Sequence, residues 1–214
     1  MKQEEFYDIL ENHLGWLGNR GEEENRANLS GADLKNIYSV DDLLSEAILS
    51  NADLRNAVLL NIDLSDADLT RADLRETVLD GADLTGAELE RSNLRNASLI
   101  CATLSYASLW DADFTNADLT GAYLTWVNWE GVRGLTVLSA QVNTSSENSQ
   151  ITYIKDLELW TEGDFQGTLE EFKTYIETSH PTDDNLKRRY FRVIKFLLTE
   201  ADFEEDLKEE QLNC

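Results

Sequence analysis

A five-residue repeat is the feature that most constrains the fold of this chain. It runs from residue 27 to residue 131, which makes 21 consecutive units when two irregular ones at 37–46 are counted. Leu is the third residue of 18 units, and Ala is the first residue of 15. A period of five matches neither the 3.6-residue turn of a helix nor the alternation of a long flat strand. It predicts a chain that extends for about three residues, turns a corner and repeats.

Within each unit, the first and third residues are expected to point to the same side, because side chains alternate along extended backbone. Leu would then fill the interior, and Ala would lie beside it where only a small side chain fits. The other three positions are mostly polar and should face water. Gly, Asn and Asp recur as the fifth residue, which suits the backbone of a corner.

The units resemble A(D/N)LXX, the consensus of the pentapeptide-repeat family, in segments such as ANLSG at 27–31 and ADLTG at 82–86. The resemblance is to bacterial members, and it implies a right-handed β-helix with four faces and four units per coil. Residues 20 apart support this, because on one face the fourth residue always carries a hydroxyl: Ser45, Ser65, Thr85, Ser105 and Thr125. On another face, acidic or amide second residues accompany cationic fourth residues: Asp33, Asp53, Asp73 and Asn93 with Lys35, Arg55, Arg75 and Arg95.

The predicted fold is therefore an all-β solenoid, a right-handed quadrilateral β-helix of about five coils with helical segments at both ends. Residues 1–26 are expected to form an amphipathic helical cap and a linker, residues 27–131 the β-helix, and residues 132–214 a loop and a mainly helical capping region. The cap helix would span 3–17 and bury one stripe: Phe6, Ile9, Leu10, His13, Leu14 and Leu17.

The C-terminal region begins with a polar stretch at 143–150, which is predicted to be an exposed loop. An alternating segment follows at 151–160. Thr168 and Glu171 have the spacing of a capping box, so a helix should start there and end before His180. A second helix should run from about residue 183 to residue 200 or beyond.

The repeat is irregular between Ile37 and Glu46. Ser39 and Asp42 take positions that should point inward, where unpaired polar groups are costly. We expect a bulge or short excursion here that lets Ile37 or Val40 replace Ser39 in the core. An alternative is that this segment forms a partner-binding loop.

Residues that could support catalysis or metal binding are scattered. His13 and His180 lie far apart in the sequence, without Cys or His neighbours, so a metal site is not expected. Cys101 falls at an outward fifth position and is interpreted as a surface residue. No nucleotide-binding or nucleophile motif occurs, so neither enzymatic activity nor a cofactor is predicted.

The chain is strongly acidic, with a formal net charge of −24. Because nucleic acids and anionic membranes are bound through clustered Lys and Arg, direct binding to either is disfavoured. No apolar signal core or membrane-spanning run is evident, so a cytoplasmic location is predicted.

One face of the predicted β-helix is apolar on its outside. Its outward residues include Val58, Leu60, Val78 and Ile100, and Tyr38 and Val40 extend the set. A contiguous apolar strip on an acidic surface usually marks a contact. Two alternatives are open: the C-terminal region covers the strip, or the strip is the interface of a homodimer or of a protein partner. Besides this strip, a cluster of aromatic side chains is expected near the last coil: Trp110, Tyr123, Trp126 and Trp129.

The second C-terminal helix is locally basic, with Lys187, Arg188, Arg189, Arg192 and Lys195. These cations either match the acidic coil or the acidic tail at 202–210, or form a docking helix for an acidic partner.

The leading functional hypothesis is a non-enzymatic protein-interaction or scaffold module, a rigid acidic rod with an unidentified protein partner, acting as a monomer or homodimer. The alternative is a DNA mimic that inhibits or protects a type II topoisomerase (gyrase), as the family resemblance allows. Acidity favours the alternative, whereas the cations on one face and the prevalence of Leu over Phe at the central position oppose it.

Overall fold

The computed structural model of the protein describes residues 1–19, 26–143 and 148–212, and at 19, 143, 148–149 and 203–212 it describes the backbone alone. Two units emerge from its internal contacts, residues 1–134 and residues 135–214. The N-terminal helix therefore belongs to the same unit as the repeat.

The first unit is built from parallel backbone pairing between residues that are 20 apart. Asp33 pairs with Asp53, and Asp53 in turn pairs with Asp73. The backbone around Asp53 therefore bonds to the turn on either side of it. Asp53 N–H donates to the Ala32 carbonyl of the preceding turn at 2.9 Å, and Leu54 N–H donates to the Asp73 carbonyl of the following turn at 2.8 Å. Where the extended part is longest, β1 (Tyr38–Val40) pairs with β2 (Val58–Leu60) in the same parallel register. Four five-residue units thus complete one turn of the chain.

The corners between units share one backbone conformation. The fifth residue of all 21 units has a positive φ, between about 50° and 75°, whether it is Gly, Asn, Arg or Trp. Four-residue turns lie between most consecutive units, closed for example by Ala57 N–H donating to the Leu54 carbonyl at 3.0 Å. The enrichment of Gly and Asn at this position is explained, because these residues enter the left-handed region at the lowest cost.

The interior of the repeat is a column of Leu side chains with small residues beside it. Leu74, Leu84 and Leu104 have no exposed surface, and Phe114 substitutes for Leu with none exposed either. Thr77 and Ser92 replace Ala and are also buried. Their hydroxyls donate to the carbonyls of Leu54 and Leu89, at 2.8 Å and 2.6 Å, so the core tolerates them.

The predicted bulge at Ile37 to Glu46 is wrong. Ser39 stays in register opposite Leu59 and is fully buried, while Val40 keeps its own outward position opposite Leu60. The hydroxyl of Ser39 donates to the carboxylate of Asp42, which is half-exposed. Because each polar group supplies the partner that the other needs, the chain keeps the phase of the repeat.

Helix α1 (Gln3–Asn19) buries Phe6, Leu10, His13 and Trp16, spaced at three to four residues. The predicted stripe was wrong in two places: Leu14 is 45% exposed, and Trp16, which was not included, is 6% exposed. Trp16 stacks on His13 with ring centroids 5.5 Å apart. Trp16 rather than Leu14 belongs to the buried face of α1, because the indole ring buries more apolar area than a Leu side chain would.

Polar side chains of α1 bond to the backbone of the first turn, where no earlier turn supplies partners. The amide of Gln3 accepts from Tyr38 N–H at 3.0 Å and donates to the Tyr38 carbonyl at 2.6 Å. His13 accepts from Ala27 N–H at Nδ1 (3.1 Å), and its Nε2 lies 2.9 Å from the Ser45 carbonyl. In this way, side chains replace part of the backbone ladder at the edge of the repeat.

The second unit contains a four-stranded antiparallel sheet of order β3-β4-β5-β6. Its strands are β3 (Val137–Asn143), β4 (Asn148–Ile154), β5 (Leu159–Glu162) and β6 (Phe165–Gly167), with a 3₁₀ turn at Lys155–Leu157. The loop predicted at 143–150 was too long, since residues 143 and 148–150 lie in paired strands. Residues 144–147 lie outside the described part of the chain.

Two helices complete the second unit. Helix α2 (Leu169–Ser179) starts at the predicted capping box of Thr168 and Glu171, and α3 (Asp184–Leu212) follows. A core of its own joins sheet and helices: Val142, Ile151, Tyr153, Trp160, Phe172, Ile176, Tyr190, Ile194, Leu197 and Ala201 are all buried. Leu186, Val193 and Leu198 of α3 also pack against this core.

Candidate interaction surface

The second residue of each unit decides how the outer surface of the repeat is built. When it is Asp, its carboxylate accepts a hydrogen bond from the backbone N–H of the fourth residue: Asp63 from Ser65 and Asp68 from Thr70, both at 2.9 Å. The carboxylate thereby pairs with a backbone N–H group that forms no hydrogen bond to the neighbouring turns. An aliphatic residue at this place cannot do so, which makes the apolar second residues exceptions to the local chemistry.

Three of these second residues, together with two apolar fourth residues, form what we call the apolar patch: Tyr38, Val58 and Val78 with Val40 and Leu60. Tyr38 pairs with Val58, and Val58 with Val78, so these three second residues stack in one column. Val40 pairs with Leu60 in the adjacent column of fourth residues. Tyr38 is 55% exposed and the other four are half-exposed. The patch therefore covers three successive turns.

Ile100 lies apart from the patch, although the sequence analysis grouped it with Val58, Leu60 and Val78. Asp80 stands between Leu60 and Ile100 in the column of fourth residues. Its carboxylate accepts from the hydroxyl of Ser98 and, at 3.2 Å, from the backbone N–H of Ile100. Since a carboxylate breaks the apolar surface there, Ile100 forms a separate half-exposed residue.

A different face carries the ladder of opposite charges that the sequence predicted. The guanidinium of Arg55 binds Asp53 with two hydrogen bonds of 2.8 Å and 2.7 Å, and Arg75 binds Asp73 in the same manner. Arg55 also approaches the next turn, where its Nε lies 3.6 Å from the Asp73 carboxylate. The hydrogen bonds from Arg55 lower the pKa of Asp53 to about 2. The charged groups of this face are therefore already paired with one another, whereas the side chains of the apolar patch have no such partners on the described surface.

The expected column of hydroxyls is only partly a hydrogen-bonded ladder. The hydroxyls of Ser105 and Thr125, which lie in adjacent turns, form a hydrogen bond of 2.9 Å. Ser65 instead donates to the Asp63 carboxylate of its own unit at 2.6 Å. The column provides small polar side chains rather than a continuous binding feature.

A family model of pentapeptide repeats matches this sequence in eight copies, with matched ranges that together cover residues 25–132. The match includes the whole 20-residue register described above.

The chain belongs to the pentapeptide-repeat family.

Solved structures similar to this pentapeptide-repeat protein come from the same family. HetL, involved in heterocyst differentiation regulation in the cyanobacterium Nostoc sp. strain PCC 7120, is 36% identical over 51% of this chain and 54% of its own, with a TM-score of 0.39. A thylakoid-lumen protein of Arabidopsis thaliana is 36% identical over 42% of this chain and 67% of its own (TM-score 0.37). Rfr23 from the cyanobacterium Cyanothece 51142 is 26% identical over 58% and 98% (TM-score 0.33).

The chain spans about half the length of HetL. No curated protein matches this pentapeptide-repeat protein. Because the family folds as a right-handed β-helix, the parallel 20-residue register of the first unit is that of a right-handed solenoid.

The predicted aromatic cluster of this pentapeptide-repeat protein is divided among separate places. Trp129 points inward and is 8% exposed, and Trp110 lies under the guanidinium of Arg91, whose carbon is 4.3 Å from the ring centroid. Trp126 stacks on Tyr106, which the sequence analysis missed, with centroids 6.1 Å apart. The signal that could have revealed this pair is their spacing of 20 residues.

Within the described ranges of this pentapeptide-repeat protein, no three His, Cys, Asp or Glu side chains are grouped as metal ligands. Cys101 is exposed at a corner, as predicted. None of the described helices is both long enough and apolar enough to cross a bilayer.

Proposed function

We propose that this protein is a non-enzymatic interaction scaffold and that a protein partner binds the apolar patch. Members of the family are generally structural or interaction modules. The proposal rests on one observation: Tyr38, Val58 and Val78 stack at outward positions on three successive turns, where the neighbouring faces carry mostly Asp, Arg, Ser or Thr. An exposed contiguous apolar surface on a soluble acidic unit is typical of a binding site.

The surroundings of the patch support the same proposal. The corner residues beside it are polar and exposed, and they include Asn36, Asn56 and Asn61 as well as the charged Asp41 and Glu76. Tyr38 combines an exposed ring with a phenolic hydroxyl, a combination that is enriched at interfaces. An apolar centre with a polar, solvent-exposed border has the composition expected of an interface.

In this proposal the repeat forms about five coils that hold the patch rigidly. Helix α1 acts as the N-terminal cap, because its side chains supply hydrogen-bond partners to the first turn. The C-terminal residues 132–214 act as the second capping region, and the protein is cytoplasmic. Side chains held on a fixed ladder lose little freedom when a partner binds, which favours affinity.

The test compares wild type with Val58→Asp/Val78→Asp in affinity capture from the host lysate, together with the oligomeric mass in solution. Two carboxylates at the centre of the patch would have to be desolvated on binding. We expect loss of the captured partner, or dissociation of a homodimer if the partner is a second copy.

The matched control is Thr70→Asp/Thr103→Asp, which adds the same charge at half-exposed outward positions on other faces. Partner recovery and mass should match those of wild type. If the Val58→Asp/Val78→Asp variant also behaves as wild type while remaining folded, the patch is not the binding surface.

Mimicry of DNA towards a type II topoisomerase is the alternative, and the acidity of the chain is the observation that favours it. The Arg ladder counts against it, because Asp53 and Asp73 are neutralised by bidentate pairs. A gyrase supercoiling assay that shows inhibition or protection by the wild-type protein would favour this alternative over the scaffold.

A further inference from the structure

Helix α3 has an outward face on which cations remain unpaired. Eight Lys and Arg residues form ion pairs with carboxylates in the described part of the chain, but five described ones form none: Lys2, Arg71, Arg188, Arg192 and Lys195. Three of the five lie within eight residues of α3. Lys187, which the sequence analysis counted with them, is different, because it binds Glu177 at 3.0 Å and Asp184 at 3.1 Å.

The three cations lie on one stripe of the helix. Arg188, Arg192 and Lys195 follow the i, i+4, i+7 spacing of a single face, opposite Tyr190, Ile194 and Leu197, which are buried in the core of the second unit. All three are exposed. The face is therefore fixed outward by the packing of the opposite side.

Two aromatic side chains flank the cationic stripe. Phe191 is 36% exposed and Phe196 is 54% exposed. At 100° per residue, Phe191 lies on one side of the stripe and Phe196 on the other. An exposed Phe on each side of three free cations is not required for solubility, which charged residues alone would provide.

The acidic end of α3 begins beyond this face along the helix axis. Asp202, the first residue of the acidic tail at 202–210, lies about 10 Å beyond Lys195 along the helix axis, at 1.5 Å per residue, and the later acidic residues lie farther. Closer to the stripe, Thr199 occupies the position one turn after Lys195, and its hydroxyl donates to the Lys195 carbonyl. Among the described side chains, neither Glu200 nor Asp202 forms an ion pair with the three cations.

We propose that the outward face of α3, formed by Arg188, Phe191, Arg192, Lys195 and Phe196, binds an acidic segment of a partner protein that also carries apolar side chains. Charge complementarity gives the acidic character, and the two Phe rings give the apolar one. An extended anionic surface, such as a bilayer, would also face the many carboxylates of a chain with net charge −24. A short segment needs to contact only the roughly 12 Å that the face spans.

The test uses the full chain and a fluorescein-labelled peptide of four Glu-Glu-Leu-Leu repeats, followed by fluorescence anisotropy. Wild type should bind the peptide, and Arg188→Glu/Arg192→Glu should weaken binding by about tenfold or more, because two attractive contacts become repulsive. Phe196→Ser should weaken it about threefold or more, since about 0.7 kcal/mol of apolar contact corresponds to that factor. Binding by wild type should also fall as salt is raised.

The chain offers a matched control for the charge reversal. Lys2→Glu/Arg71→Glu reverses the other two unpaired cations and gives the same net charge, so its binding should stay within about twofold of wild type. Both double variants change exposed residues without breaking an ion pair, and circular dichroism should show both to be folded.

Three results would overturn the proposal. One is the absence of peptide binding by folded wild type at millimolar concentration. Another is equal weakening in the two double variants, which would reflect net charge alone. The last is binding to vesicles that contain phosphatidylserine, but not to the peptide, which would make the face a membrane-binding one.

Discussion

The second residue of the pentapeptide illustrates how a consensus follows from hydrogen bonding at the scale of one residue. Asp83 and Asp118 accept from the N–H groups of Thr85 and Thr120, two residues later, both at 2.9 Å. The same bond contributes to the lowered pKa of Asp118, where the hydroxyl and the N–H of Thr120 both stabilise the carboxylate. Asp and Asn thus prevail at this position because their side chains are short enough to accept from a neighbouring backbone donor.

At this scale, Leu74→Asp or Leu84→Asp should unfold the β-helix. Both side chains are fully buried, so the substitution loses roughly 1.5–3 kcal/mol of apolar burial and adds a buried carboxylate that has no partner. Loss of the β signal in circular dichroism, and of cooperative thermal unfolding, is the expected result.

Thr85→Asp is the control for this prediction, because Thr85 is the half-exposed neighbour of Leu84. Its spectrum and melting temperature should stay close to those of wild type. An unchanged spectrum for either Leu variant would mean that the Leu column is not the core.

Residue types predicted the interior well but the corners only in part. Leu and Ala identify the inside because few other residues fit there. Arg71, Tyr106 and Trp126 also adopt a positive φ of about 60°, which their side chains do not favour. Their conformation is imposed by the ladders on both sides of the corner, and such a non-local cause is not visible in the residue itself.

At the scale of one element, α1 depends on a buried histidine in its neutral form. Nδ1 of His13 accepts from Ala27 N–H, so the proton must reside on Nε2, which donates to the Ser45 carbonyl. Burial lowers the pKa of His13 below its ordinary value of 6.5. The Ser45 carbonyl and the carboxylates of Glu46 and Asp63 act in the opposite direction, and the Arg26 guanidinium lowers the pKa further.

We therefore predict that acidification weakens the first unit. Because the folded-state pKa is depressed, the contribution of neutral His13 is fully present above pH 6.5 and is lost as the pH falls below that value, where the unfolded chain takes up the proton first. Thermal unfolding between pH 8 and pH 5, measured in a His180→Gln background, should show this decline.

The comparison variant is His13→Gln in the same background. It should be less stable than its parent at pH 8, because a fitted hydrogen-bonded ring is lost, and the difference should shrink towards pH 5. A difference that stays constant with pH would show that protonation of His13 does not destabilise the fold.

Element predictions succeeded where a local signal was strong. The capping box at Thr168 and Glu171 forms as expected, with Thr168 N–H donating to the Glu171 carboxylate at 2.8 Å. The hairpin of β3 and β4 was missed because Asn143 and Asn148–Gln150 are polar, and their strand pairing is set by partners across the hairpin. The burial of Trp16 was missed because it depends on the surface against which α1 packs.

At the scale of the whole molecule, the two units have separate cores, and we predict that they unfold separately. Phe172→Ala removes a fully buried ring from the second unit and should cost about 3–5 kcal/mol there. Hydrogen exchange followed by mass spectrometry should then show loss of protection in peptides from residues 135–212 only.

Leu84→Asp provides the reciprocal measurement, with protection lost in the repeat and retained in the second unit. Loss of protection throughout the chain in both variants would mean that the protein unfolds as one cooperative unit.

The candidate sites show how far a sequence leads at this scale. Stacking residues 20 apart was sufficient to predict Val58, Leu60 and Val78 as neighbours, because the register is fixed by the repeat. The separation of Ile100 depends on Asp80, a residue one turn away in the same column. The outward face of α3 required knowledge of ion pairs such as Lys187 with Glu177, which no periodicity reveals.

The 20-residue register has a consequence for how such a chain can change in length. Adding or deleting 20 residues between Ala57 and Ala117 keeps every downstream column aligned with the residues below it. An insertion of one five-residue unit would instead rotate all later columns by a quarter turn. Val78 would then no longer follow Val58, and the apolar surface would be distributed over two faces. Duplication of whole turns is therefore the change in length that preserves a binding surface already in place.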